Sequence, residues 1–83
     1  MDEKKITQKD TENKRLIVKK LCEVLQLTRA GRLIDSLKYE PEKDSDDEFV
    51  AIIYRDGSPK AFSFVDVTGD SGISLIRDVI KAL

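Results

Sequence analysis

The segment from Glu48 to Thr68 constrains the fold of this chain more than any other. Two runs rich in β-branched and aromatic residues, 49–54 and 61–67, flank the step Asp56-Gly57. An Asp-Gly step between two such runs is the strongest short-range signal for a β-hairpin, because it suits the positive φ angles of a tight turn. The first run is apolar at every position, which predicts a strand with both faces covered.

The register of this hairpin depends on the length of its loop. A loop of two or four residues places the odd-numbered residues of 49–53 on the same face as Phe62 and Phe64. A loop of three residues places the even-numbered residues of 50–54 there instead, since a shift of one residue exchanges the faces of a strand. Pro59 lacks an amide hydrogen and is expected at the turn or on a strand edge.

Apolar periodicity predicts a helix on each side of the hairpin. The first helix is expected over Glu12–Leu27, with an N-cap at Asp10 or Thr11 and an end near Gly31. Its apolar stripe is predicted to consist of Ile17, Leu21, Val24 and Leu25. The second helix is expected over Ile73–Leu83, capped by Asp70 or Ser71, and its stripe is predicted to consist of Ile76, Val79, Ile80 and Leu83.

The segment Leu33–Glu40 lies between the first helix and the hairpin. Leu33, Leu37 and Tyr39 alternate, which favours a strand that ends at Pro41. The alternative is one more helical turn, because Ile34 and Leu37 are three residues apart. With the strand, the chain is predicted to be a single small α+β domain of the order αβββα, with a three-stranded antiparallel meander.

Length and composition place limits on the domain. A chain of 83 residues forms one domain and buries about 60% of its unfolded surface. Residues 1–10 are polar and predict a flexible tail, so the domain is expected to span residues 11–83. The single cysteine, the N-terminus without an apolar signal core and the lack of an apolar run of roughly 20 residues predict a cytoplasmic protein that does not contact membranes.

The residue types exclude most catalytic and metal chemistry. The chain has no histidine, which removes the usual general base and the commonest metal ligand, and Cys22 is expected to be a buried structural thiol. The string 69–72, Gly-Asp-Ser-Gly, is expected to be a capped turn, since a serine nucleophile would need a histidine. The acidic run 44–48 lacks the EF-hand spacing. We therefore expect no enzyme activity, no cofactor and no metal site.

Charge is distributed unevenly, although the net charge is only −1. Seven basic and two acidic residues lie between Lys4 and Lys20, whereas six acidic and one basic residue lie between Glu40 and Glu48. The basic region suggests an alternative function as a nucleic-acid-binding accessory protein, because clustered cations attract phosphates. Its candidate contacts are Lys14, Arg15, Lys19, Lys20, Arg29 and Arg32.

The hairpin suggests the leading functional hypothesis. If the helices cover one sheet face, the second apolar face needs a partner, because monomers rarely expose large apolar patches. In the register of an even loop, the candidate interface residues are Val50, Ile52, Tyr54, Val65 and Val67. We expect a non-catalytic protein-interaction module that associates with itself or with another protein, with the acidic loop as a secondary contact.

The predicted element order also resembles that of a known group of proteins. The order helix, three strands, helix is similar to that of some small phage proteins that inhibit bacterial defence nucleases. The resemblance implies a small phage or mobile-element inhibitor that acts by binding a host defence protein.

Overall fold

The computed structural model describes residues 8–55 and 61–83, and it confirms the predicted order αβββα. The elements are α1 (Gln8–Leu25), β1 (Ile34–Pro41), β2 (Glu48–Tyr54), β3 (Phe62–Asp66) and α2 (Gly72–Lys81). The Asp56-Gly57 turn, Pro59 and the first seven residues of the predicted tail lie outside the described residues.

The three strands form an antiparallel sheet in the order β1-β2-β3. Val50 lies opposite Tyr39 on one side and Val65 on the other, and Ile53 lies opposite Phe62. Between β2 and β3 this is the register expected for an even loop. Directly opposed residues point to the same face, so one face carries the even-numbered positions of β2 and the other face carries the odd-numbered positions.

Both helices pack on the same face of the sheet. Val18 and Leu25 of α1 and Leu75 and Val79 of α2 belong to one core cluster with the even-numbered side chains of β2. α1 packs over β1, and α2 packs beside α1 and over β3. The domain therefore has two layers, and its core lies between them. The fully buried side chains of this core are Val18, Ile34, Val50, Ile52, Val67, Leu75 and Val79.

The first helix differs from its predicted bounds. It begins at Gln8, four residues before the predicted start, and ends at Leu25. It buries Val18 and Leu25, whereas Val24, which was assigned to the buried stripe, is exposed. The prediction of a strand after this helix is confirmed, because β1 occupies Ile34–Pro41.

The buried face of the second helix also differs from the predicted apolar stripe. α2 buries Leu75 and Val79, while Ile73 is 73% and Ile80 is 50% exposed. The sequence could not show this rotation, because apolar residues occupy about half of the helix circumference. The predicted cap is confirmed, since the Ser71 hydroxyl accepts a hydrogen bond from the Ser74 amide at 3.2 Å.

Two glycines serve different purposes in the connections. Gly69 has φ +76°, a conformation that side-chain-bearing residues rarely adopt, and it leads into the cap of α2. Gly31 was expected to close α1 in a left-handed conformation, but its φ is not positive. Instead, a Cβ at Gly31 would lie 2.3 Å from the carbonyl oxygen of Leu25, so the chain passes too close to α1 for a side chain.

Candidate interaction surface

The sheet face opposite the helices carries an apolar surface. Its members on β2 and β3, here called the aromatic face, are Phe49, Ala51, Ile53, Phe62 and Phe64. No helix or strand of the described ranges 8–55 and 61–83 covers it, since both helices pack on the other face. Phe62 is 59% and Phe64 is 60% exposed, and their rings pack edge to face with centroids 5.4 Å apart.

The aromatic face is bordered by charge mainly on the β1 side. On β1, Lys38 and Glu40 lie opposite Ala51 and Phe49, so the outer strand on that side is polar on this face. Toward β3, Phe62 and Phe64 extend the apolar surface to the edge of the sheet, where Asp66, opposite Phe49, is a charged residue of the same face. A cavity of about 170 Å³ lies beside Pro41, Phe49 and Phe64, so the surface is not flat.

The residues predicted to form an interface lie on the covered face. Val50, Ile52 and Val67 have no exposed surface, Val65 is buried, and Tyr54 packs against the same cluster from a half-buried position. Helices of the same chain cover these residues, so the covered face of the sheet is the one that was predicted to be available to a partner. The available apolar face is the aromatic face.

A signal for the correct face was present in β1. This strand alternates apolar and charged residues, with Leu37 and Tyr39 on one face and Lys38 and Glu40 on the other. A charged face of an outer strand points to water. Because Leu37 and Tyr39 face inward, the residues opposite them on β2, Ile52 and Val50, had to face inward too.

The outer edge of β1 is protected by α1. Gln26 donates hydrogen bonds from Nε2 to the carbonyl oxygens of Ile34 at 3.0 Å and Asp35 at 3.2 Å. The backbone amide of Leu37 faces the Cys22 thiol, and burial raises the pKa of that thiol. Cys22 is half-buried, and not fully buried as predicted.

A second apolar surface lies on the exposed flank of α2. This α2 flank consists of Ile73, Ile76, Ile80 and Leu83. At 100° per residue, these side chains lie on the side of the helix opposite Asp78. Asp78 lies beside Asp70, which is near Lys14 of α1. The α2 flank therefore points away from α1, toward the side of the domain where β3 is the last strand.

A buried carboxylate connects four segments of the fold. Glu48 is only 2% exposed, and its Oε1 accepts hydrogen bonds from Lys14 at 2.5 Å and Tyr39 at 2.6 Å. Its Oε2 accepts a bond from the Gly69 amide at 2.9 Å. Burial alone would raise the pKa of Glu48, but these donors outweigh it and hold the pKa below its ordinary value.

This role of Glu48 was not predicted, because the residue belongs to an acidic run that was expected to be solvated. Nothing in the sequence separates Glu48 from Asp46 and Asp47, which are exposed. Glu48 is the first residue of β2 and an even-numbered position of that strand, so its side chain points to the sheet face that the helices cover, toward Lys14. Lys14 also lies 5.8 Å from the centroid of the Tyr39 ring. These contacts connect the helical layer to the sheet.

Two neighbouring carboxylates, those of Asp70 and Asp78, lie close to the hydrogen bonds of Glu48. One carboxylate oxygen of Asp70 is buried without a hydrogen-bond partner. Burial, followed by the neighbouring carboxylates of Asp78 and Glu48, raises the pKa of Asp70 to about 6. A cavity of about 290 Å³ beside it is also lined by Asp10 and Lys14.

Five of the six predicted nucleic-acid contacts are exposed, and one is not. Lys14 is withdrawn into its ion pair with Glu48, whereas Arg15 and Lys19 are exposed on α1. Arg15 lines a groove of about 530 Å³ between α1 and β1. The remaining predicted contacts, Lys20, Arg29 and Arg32, are exposed.

Comparisons with known proteins add no family to this description. No family model, no curated protein and no solved structure matches the chain. Within the part of the chain that the structure describes, no cluster of three His, Cys, Asp or Glu side chains is arranged to hold a metal ion. The two described helices include none that is long and apolar enough to cross a membrane.

Proposed function

We propose that this protein is a non-catalytic protein-interaction module that functions as a homodimer, and that the β3 side of the aromatic face, with Phe62 and Phe64, and the adjoining α2 flank form its interface. The observation that carries the proposal is the exposure of Phe62 and Phe64 together on an outer strand. An exposed aromatic pair on an outer strand is a site of association, because its burial releases water from apolar surface.

The exposed apolar area is large enough to supply more than half of the surface that a stable interface buries. At roughly 200 Å² for each large side chain, the exposed fractions of five residues amount to on the order of 500 Å². These five residues are Phe62, Phe64, Ile73, Ile80 and Leu83. Stable interfaces bury about 800 Å² on each partner. The backbone edge of β3 and the half-buried Ile76 supply the remainder.

A second copy of the chain is the occupant favoured by charge and symmetry. Each chain has a net charge of only −1, so two copies repel one another weakly. The charged residues Lys38 and Glu40 lie on β1, away from the apolar edge at β3. Two-fold dimers are also the commonest oligomers of soluble proteins.

Light scattering coupled to size exclusion tests this proposal. Phe64→Thr introduces a β-branched residue that favours a strand and removes the exposed ring, and we expect it to weaken self-association at least about tenfold. Leu16→Gln is the matched control, because Leu16 is 52% exposed on the solvent side of α1. If both variants associate as the unmodified protein does, the aromatic face is not the interface.

A further inference from the structure

The two outer edges of the sheet are finished differently. The edge of β1 is capped by Cys22 of α1 and by Gln26, the residue after the helix, and the strand ends at Pro41, which has no amide hydrogen to donate. No strand within residues 8–55 and 61–83 pairs with the outer side of β3. An open edge next to exposed aromatic residues is a template for another strand.

The hydrogen bonds to β2 fix which residues of β3 face this open edge. The Tyr54 amide donates to the Ala61 carbonyl at 3.0 Å, and the Val67 amide donates to the Glu48 carbonyl at 2.9 Å. Backbone groups in an antiparallel pair point alternately toward and away from the partner strand. The residues whose N–H and C=O groups point outward are therefore Phe62, Phe64 and Asp66.

From this pattern we propose that two copies join through antiparallel pairing of β3 with β3, centred on Phe64; the proposal rests on the homodimer proposed above. The three outward positions are symmetric about Phe64. In this register Phe64 lies opposite its copy, and Phe62 lies opposite the Asp66 position of the other strand. Every outward N–H and C=O of the three residues then finds a partner, and the two sheets become one six-stranded sheet.

The side chains on both layers fit this arrangement. The two-fold axis is perpendicular to the sheet, so both aromatic faces lie on the same side, and Phe64 forms an aromatic cross-strand pair with its copy. On the other side the α2 helices become antiparallel neighbours. The α2 flank, which points past β3, supplies the apolar side chains of that helix contact. Stacking of two aromatic faces would leave both β3 edges and the α2 flank uncovered.

Amide hydrogen exchange on the unmodified protein tests the geometry. We expect the outward amides of Phe62, Phe64 and Asp66 to exchange at least about tenfold more slowly when the concentration is raised from the monomeric to the dimeric range. The Tyr39 amide, which points to the outer edge of β1, is the matched control and should not change. Slow exchange of the inward Ser63 and Val65 amides at both concentrations shows that β3 itself is formed.

Cysteine crosslinking supplies a second, independent readout. In a Cys22→Ser background, Phe64→Cys is expected to form an intermolecular disulfide under mild oxidation at a protein concentration at least about tenfold higher, which offsets the loss of the Phe64 ring. Opposed residues in such a pair lie about 5.5 Å apart at Cα, within reach of a disulfide. Ile53→Cys, at a half-buried position on the β2 side of the aromatic face, should not. A dimer that crosslinks through residue 53 and leaves the outward amides unprotected overturns the edge geometry but retains the homodimer. A monomer at all concentrations overturns both.

Discussion

The ammonium group of Lys14 lies 2.5 Å from the buried carboxylate of Glu48, and this ion pair connects α1 to the first residue of β2. We expect Glu48→Ala to lower the free energy of unfolding by about 3 kcal/mol, because it leaves Lys14 largely buried without its partner. Tyr39→Phe removes one hydrogen bond to a charged acceptor and should cost about 1.5–3 kcal/mol. Urea denaturation measures both values. A loss of less than about 0.5 kcal/mol in Glu48→Ala would contradict this role of the network.

The pKa of Asp70 predicts how stability depends on pH. This pKa is raised from 3.8 to about 6 in the folded protein, so the ionised carboxylate destabilises the fold above pH 6 and the penalty is relieved as the pH falls toward 4. Asp70→Asn should therefore stabilise the protein at pH 7 by on the order of 1 kcal/mol, with a smaller gain at pH 5.

Urea denaturation at the two pH values checks this result, with Asp46→Asn in the exposed loop as the control. Glu48 has the opposite effect on stability, because its ionised form stabilises the folded protein. Its pKa is lowered below 4.5, so its contribution is present above that value and is lost as the pH falls through the lowered pKa. A gain from Asp70→Asn that is equal at pH 5 and pH 7 would show that Asp70 does not carry the raised pKa.

The close approach of Gly31 to α1 predicts a substitution that the connection does not tolerate. Gly31→Ala places a Cβ 2.3 Å from the Leu25 carbonyl oxygen, which is rigid helix backbone. The expected cost is about 1–3 kcal/mol of stability, since the loop must move away from the helix. Gly69→Ala meets no neighbouring atom, and the strain of its positive φ should cost about 1 kcal/mol. Thermal denaturation ranks the two variants, and a harmless Gly31→Ala would contradict the packing described for this turn.

The position of Lys14 argues against α1 as a nucleic-acid-binding surface. We expect no binding of a short DNA duplex at low micromolar protein in about 50 mM salt, because the exposed cations are offset by a net charge of −1. Fluorescence anisotropy measures this directly. Binding that weakens steeply with salt and is abolished by Arg15→Glu with Lys19→Glu would instead establish the nucleic-acid function.

The hairpin and the element order could be predicted because local patterns determine them. The Asp-Gly step, the alternation of Leu37 and Tyr39 and the Ser71 cap each report on their own segment. The choice of sheet face could not be read from β2, where apolar residues occur on both faces. The inward position of Glu48 and the outward position of the α2 flank depend on tertiary packing. Residues next to them in the sequence are of the same types, so the sequence alone does not distinguish them.

Sedimentation equilibrium of the unmodified protein measures the proposed self-association directly. The chain has a mass of 9.4 kDa, and we expect the weight-average mass to rise toward about twice that value as the concentration reaches roughly 100 µM. Phe64→Thr should remain near the mass of one chain under the same conditions, while Leu16→Gln should follow the unmodified protein. A mass of 9.4 kDa at every concentration would contradict self-association through the aromatic face and the β3 edge.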